Sequence, residues 1–117
     1  MNSEDLDVRI HRNSDIPVVG LSGDIDSYTC SKLGKAIVNL ITDGDLHVVI
    51  DMSEVKYIDS SGLGTLVGGL RRVHEQNGNL AITNPSPQIR RIMNLTGLNK
   101  VFTLYDNESE AITSLKS

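Results

Sequence analysis

The sequence offers little with which to do chemistry of its own. It holds one cysteine among 117 residues, so neither an intramolecular disulfide nor a cysteine-based metal site can form. Cys30 is expected to be a small, inert core residue of the first helix. Tryptophan is absent and phenylalanine occurs once, which leaves the core to aliphatic side chains. Lys and Arg number 11 against 15 Asp and Glu, for a formal charge of -4. A nucleic-acid binder needs clustered cations. Here the longest basic runs are Arg71-Arg72 and Arg90-Arg91, which read as solvated helix faces. No apolar run approaches the roughly 18 residues of a membrane span, and the acidic opening "MNSEDLDVRI" carries no apolar signal segment. Length and composition predict one domain, residues 1–117, that is cytoplasmic and engages neither nucleic acid nor membrane.

What is present is periodicity. Leu6, Val8 and Ile10 alternate with Asp7, Arg9 and His11, the pattern of a half-exposed strand. "RNSD" turns the chain, and "IPVVGLSG" follows as the second strand of a hairpin, with Pro17 at its start or edge. From Cys30 the apolar residues Leu33, Ala36, Ile37, Leu40 and Ile41 recur at helical spacing, with Asp26 or Ser27 as the expected cap. "LHVVID" reads as a strand covered on both faces and closed by Asp51. A helix over about residues 61–76 follows, ended by "EQNGN" with Gly78. Next come a short strand "LAIT", a helix with Ser86 as cap, Pro87 in its first turn and Gly97 as stop, a strand "VFTLY", and a short helix capped by Asp106 or Asn107. Alternating strands and helices predict an α/β fold: a mixed sheet with a mostly parallel centre, an N-terminal hairpin and about four helices.

One stretch resists this bland reading. "YIDSSGLGTLVGG" places Gly62, Gly64, Gly68 and Gly69 inside a helix. Each costs about 0.5–1 kcal/mol relative to alanine, roughly 2–4 kcal/mol together if the terms add. On a wheel, Leu63, Leu66, Val67, Leu70 and Val73 form the stripe that faces the sheet. Gly64 and Gly68 lie opposite with Ser61, Thr65 and Arg72, while Gly62 and Gly69 flank them. Close packing of the helix against its neighbours is one reason for such glycines. It suits Gly64 and Gly68 less, since they face outward, and there a surface bare of side chains suits the close approach of another protein's backbone. Ser60 and Ser61 stand where a strand hands the chain to this helix, an edge at which ligands and reactive groups collect. Unsatisfied first-turn amides there attract anions. Asp59 or Ser60 is also placed to cap the helix.

Catalytic readings fail on their partners. A serine hydrolase needs an elbow of the Gly-x-Ser-x-Gly type with acid and His partners. "DSSG" lacks the leading glycine, and His11, His47 and His74 are scattered over a hairpin strand, a buried strand and a helix end. A phosphate-accepting aspartate at Asp51 would need an acidic pair, imitated by Asp24 and Asp26, and a lysine after a late strand, where Asn84 and Pro85 stand instead. "SGLGTLVGG" has neither phosphate-loop nor dinucleotide spacing. No catalytic set, cofactor or metal site is expected.

The segments "VVIDMSEVKYIDSSGLGTLVGGLRRV" and "GNLAITNPSPQIRRIMNLTGLNKVF", with "LSGDIDSYT" near the start, resemble the STAS domain of bacterial anti-sigma factor antagonists. The likeness runs from about residue 6 to 115 and is most specific in "DSSGLG". It implies a partner switch in which Ser60 is the phosphorylation site. The unphosphorylated antagonist would bind an anti-sigma factor that is also a GHKL-type serine kinase, and a PP2C-type phosphatase would reset it. It further implies that Asp59 shapes the loop, that Asp26 lies near the same surface, that Ser61 caps rather than takes phosphate, and that Gly62, Gly64 and Gly68 admit the partner. The chain itself would be no enzyme, and a monomer or weak dimer. The alternative within this resemblance is a non-catalytic scaffold subunit of a transport or other signalling complex.

Overall fold

A computed structural model describes residues 5–117. Strands β1 (Leu6–Asn13) and β2 (Ile16–Ile25) form the expected hairpin. Ser14 and Asp15 both take positive φ, 54° and 68°, the two-residue turn whose twist matches that of paired strands. Helix α1 (Cys30–Thr42) leads to β3 (His47–Ile58), α2 (Ser60–Glu75) to β4 (Asn79–Thr83), and α3 (Pro87–Thr96) through a short 3-10 turn to β5 (Leu104–Tyr105) and α4 (Glu108–Lys116). The sheet order is β1-β2-β3-β4-β5, with β1 antiparallel and the remaining pairs parallel.

Strand alternation divides the apolar residues between two faces. Val19, Val48, Ile50, Leu80 and Ile82 point to one side, where Leu33 and Ile37 of α1, Leu66 and Leu70 of α2 and Ile89 and Met93 of α3 cover them. Val18, Val49 and Ala81 point to the other and pack under Ala111, Ile112 and Leu115 of α4. Both faces of the centre are therefore closed, which is why "HVVI" reads as a continuous apolar run.

Four expectations are corrected. Asp51 does not close β3, which runs on to Ile58. "VFTLY" contributes only Leu104–Tyr105 as strand; Phe102 is instead a buried plug beneath α3 and the 3-10 turn. Helix α1 is preceded by Thr29 in the cap position with no side-chain cap bond, so neither Asp26 nor Ser27 caps it. Cys30 is half-buried at the core's margin rather than inside it. Ser86, Asn107 and Gly97 do terminate α3 and α4 as expected, with Gly97 at φ 79°.

Among the described residues three polar ties hold the hairpin to the body, one of them between His11 Nε2 and Glu108 at 3.1 Å. Arg12 grips Asp45 with both terminal nitrogens, each at 2.9 Å, and Asn13 donates to Glu108 at 2.7 Å. The hydrogen bond from Arg12 holds the Asp45 carboxyl below its ordinary pKa, and that from Asn13 does the same for Glu108. Groups with depressed folded pKa values stabilise the fold above the unfolded carboxylate range, near pH 4, and lose that contribution as pH falls through the folded value. Arg12→Gln is expected to narrow the difference in stability between about pH 7 and pH 3, and only slightly, because Arg12 is half exposed and water screens the pair. Urea unfolding at both pH values measures it.

Candidate functional site

The last residues of β2 and β3 are side by side: Ile25 pairs with Ile58, and the Asp59 amide donates to the Ile25 carbonyl at 3.0 Å. The residues that follow, Asp26 and Asp59, are thereby brought to the same carboxyl edge of the sheet. Asp59 is extended (φ -103°, ψ -173°) and its Oδ1 accepts from the Gly62 amide at 3.0 Å, so Asp59 is the N-cap of α2. Ser60 is the first helical residue and is exposed. The first intrahelical bond is that of the Leu63 amide to the Asp59 carbonyl, at 2.9 Å. The amides of Ser60 and Ser61 precede it and have no helical partner. Ser61, expected as a capping hydroxyl, leaves that role to Asp59; its carbonyl accepts from Thr65 Oγ1 at 3.0 Å.

On the β2 side, Asp26 Oδ1 accepts from the amides of Tyr28 (2.9 Å) and Thr29 (3.0 Å). The Thr29 hydroxyl accepts from the Asp26 amide at 2.9 Å and donates to the Asp24 carbonyl at 2.8 Å. Thr29 is buried and locks this loop. Sequence reasoning missed it, although Asp-x-x-Thr is the spacing of a self-bonded turn. Tyr28, 75% exposed, was missed as well.

The glycines of α2 fall into two classes. A Cβ on Gly64 or Gly68 would meet nothing within 4 Å. One on Gly62 would lie 2.6 Å from Ile58 Cγ1 and 2.7 Å from Ile25 Cγ2, and one on Gly69 would lie 3.0 Å from Ile37 Cδ1. Gly62 is thus buried between the ends of β2 and β3 and lets the helix approach the sheet, contrary to its expected place on an open surface. Gly64 and Gly68 have no such packing duty. Gly68→Ala is expected to stabilise the isolated protein by about 0.5–1 kcal/mol through helix propensity, measured by chemical denaturation.

The chain matches the STAS domain over residues 7–111. It belongs to the STAS domain family. This STAS domain is 28% identical over 112 residues to the anti-sigma F factor antagonist of Paenibacillus polymyxa, spanning 95% of the present chain and 96% of that protein. The anti-sigma-B factor antagonist of Bacillus subtilis is 32% identical over 100 residues, 85% and 90% of the two chains. In three dimensions the domain resembles an anti-sigma factor antagonist from Mycobacterium paratuberculosis with a TM-score of 0.88, 30% identity and 97% coverage of both chains. No helix among the described residues is long and apolar enough to cross a membrane.

Proposed function

We propose that this STAS domain is an anti-sigma factor antagonist whose partner affinity is switched by phosphorylation of Ser60. The observation that carries the reading is the position of Ser60: exposed, first in α2, directly after the capping carboxylate, on the edge shared with Asp26. The names of the three relatives above point the same way. In this reading the unphosphorylated domain binds an anti-sigma factor, through Asp26, Asp59, Ser61 and the open glycines Gly64 and Gly68, and so frees a sigma factor. The anti-sigma factor, a GHKL-type kinase, transfers the γ-phosphoryl group of ATP to Ser60 Oγ and releases ADP and the hydroxyl proton. A PP2C-type phosphatase hydrolyses the ester and restores the binding form.

The phosphate suits its place on the domain. Free first-turn amides and the positive end of the helix dipole tolerate an anion there, so phosphorylation leaves the fold in place and acts on the partner. Intact-mass measurement after incubation with the genome's anti-sigma kinases and ATP tests the reading. Wild type is expected to gain one phosphate and Ser60→Ala none. A wild-type chain that stays unmodified while a transport complex retains it would favour the scaffold role instead.

A further inference from the structure

Between α1 and α2 runs an open groove of about 330 Å³. Gly34 and Gly68 leave it open, Val38 and the Thr65 methyl give it apolar walls, and Lys35 and Arg72 stand on its rim. Val38 is 36% exposed, an apolar side chain with nothing over it.

The charge around this groove is the reverse of the chain's. The groove's charged lining residues are Lys35 and Arg72, both cations, in a chain of net charge -4, whereas Arg71, next to Arg72 on α2, faces elsewhere beside Val67 and His74. Neither Lys35 nor Arg72 makes an ion pair among the described residues, although Arg9, Arg12 and Arg90 elsewhere all do. The neighbouring edge at Ser60 has the opposite sign, with Asp24, Asp26 and Asp59. An apolar cleft with unpaired cations on its rim is complementary to a segment that offers small apolar side chains flanked by carboxylates.

We propose that this groove seats an acidic, apolar segment of the anti-sigma partner, with Lys35 and Arg72 meeting its carboxylates. The inference rests on the antagonist reading and adds the chemistry of the partner's contact. A second copy of this chain does not fit, because a two-fold contact across the groove would set the cations against themselves. The groove's charge also orients the partner: its acidic region meets the groove, away from the acidic Ser60 edge. Complementary potentials of this kind set register and speed encounter.

The test is calorimetric titration of the full chain with the anti-sigma factors of its own genome, at low and high salt. Lys35→Glu and Arg72→Glu are each expected to weaken binding about tenfold and to reduce its salt dependence. Gly68→Leu, which fills the cleft without changing charge, should weaken it comparably. Lys116→Glu, on α4 at the opposite face of the sheet, should bind as wild type; melting curves verify that all variants fold. If the groove variants bind normally while Ser60→Asp is weakened, the groove inference falls and the antagonist reading stands. If no anti-sigma factor binds the wild-type chain, both fall. Self-association, or binding of a short DNA duplex, that Arg72→Glu abolishes would equally overturn it.

Discussion

Ser60→Asp, and phosphorylation of Ser60 still more, is expected to lower affinity for the anti-sigma partner by about 100-fold, while Ser60→Ala binds as wild type. A phosphoserine adds about -1.5 to -2 charges, and it adds them where Asp59 and Asp26 already stand on one sheet edge. The free domain tolerates this, because the new group faces water and the amides of the first helical turn. In the complex the same group would lose its water. A buried anion without a matching cation costs several kcal/mol, and about 1.4 kcal/mol is a factor of ten. Two factors of ten are therefore a conservative expectation. Isothermal titration with each variant measures the affinity, and thermal melts establish that the fold is unchanged. Unweakened binding by Ser60→Asp would remove Ser60 from the role of switch.

The largest effect on stability is expected from Gly78→Ala. A Cβ at Gly78 would occupy the position of the Leu46 carbonyl oxygen, which accepts the Asn79 amide at 3.0 Å. The nearest obstacles, the Leu46 carbonyl oxygen and its carbon, are backbone, so no rotamer change relieves the overlap. The turn from α2 into β4 must move away from the start of β3, which pulls apart the His47–Asn79 end of the parallel ladder. Overpacking of this kind costs about 3 kcal/mol, or a fall of about 10 °C in Tm for a domain of this size. Urea and thermal unfolding measure it. A variant that melts with wild type would show that the turn relaxes at little cost.

Gly78 also shows where sequence reasoning stops. It was legible as the end of a helix, but the left-handed residue there is Asn77, at φ 64°, and Gly78 is required for space rather than for its dihedral angles. The same limit applies to Gly62 and Gly64. A helical wheel ranks both by angle alone, whereas the burial of Gly62 depends on Ile25 and Ile58, contributed by two strands at different places in the chain. Local spacing left the cap open between Asp59 and Ser60, and the structure gives it to Asp59; the place of Asp26 near the same edge came from the family resemblance. The second half of β3 was not legible. Its Ser53, Glu54, Lys56 and Tyr57 are exposed and its alternation is broken, because register shifts against β2 occur between Gly20 and Ser22 and again between Gly23 and Asp24. Two-residue periodicity cannot persist through irregularities of that kind. Basic pairs read as generic solvated faces also concealed that Arg72 and Lys35 stand across one groove.

That irregular half of β3 has a kinetic consequence. Beyond Asp51 its ladder continues only with β2, since the pairing with β4 ends at Thr83. The ribbon that carries Ser60 thus projects past the rest of the sheet, and its tip is secured by the Asp59–Ile25 amide bond and the Asp59 cap. The Ser60 side chain is already exposed, so separating those contacts would free only the backbone on either side of it while the centre of the sheet stays closed. Such an opening is local and does not require global unfolding. An enzyme that needs the segment around Ser60 in extended form would therefore find it on an otherwise native molecule.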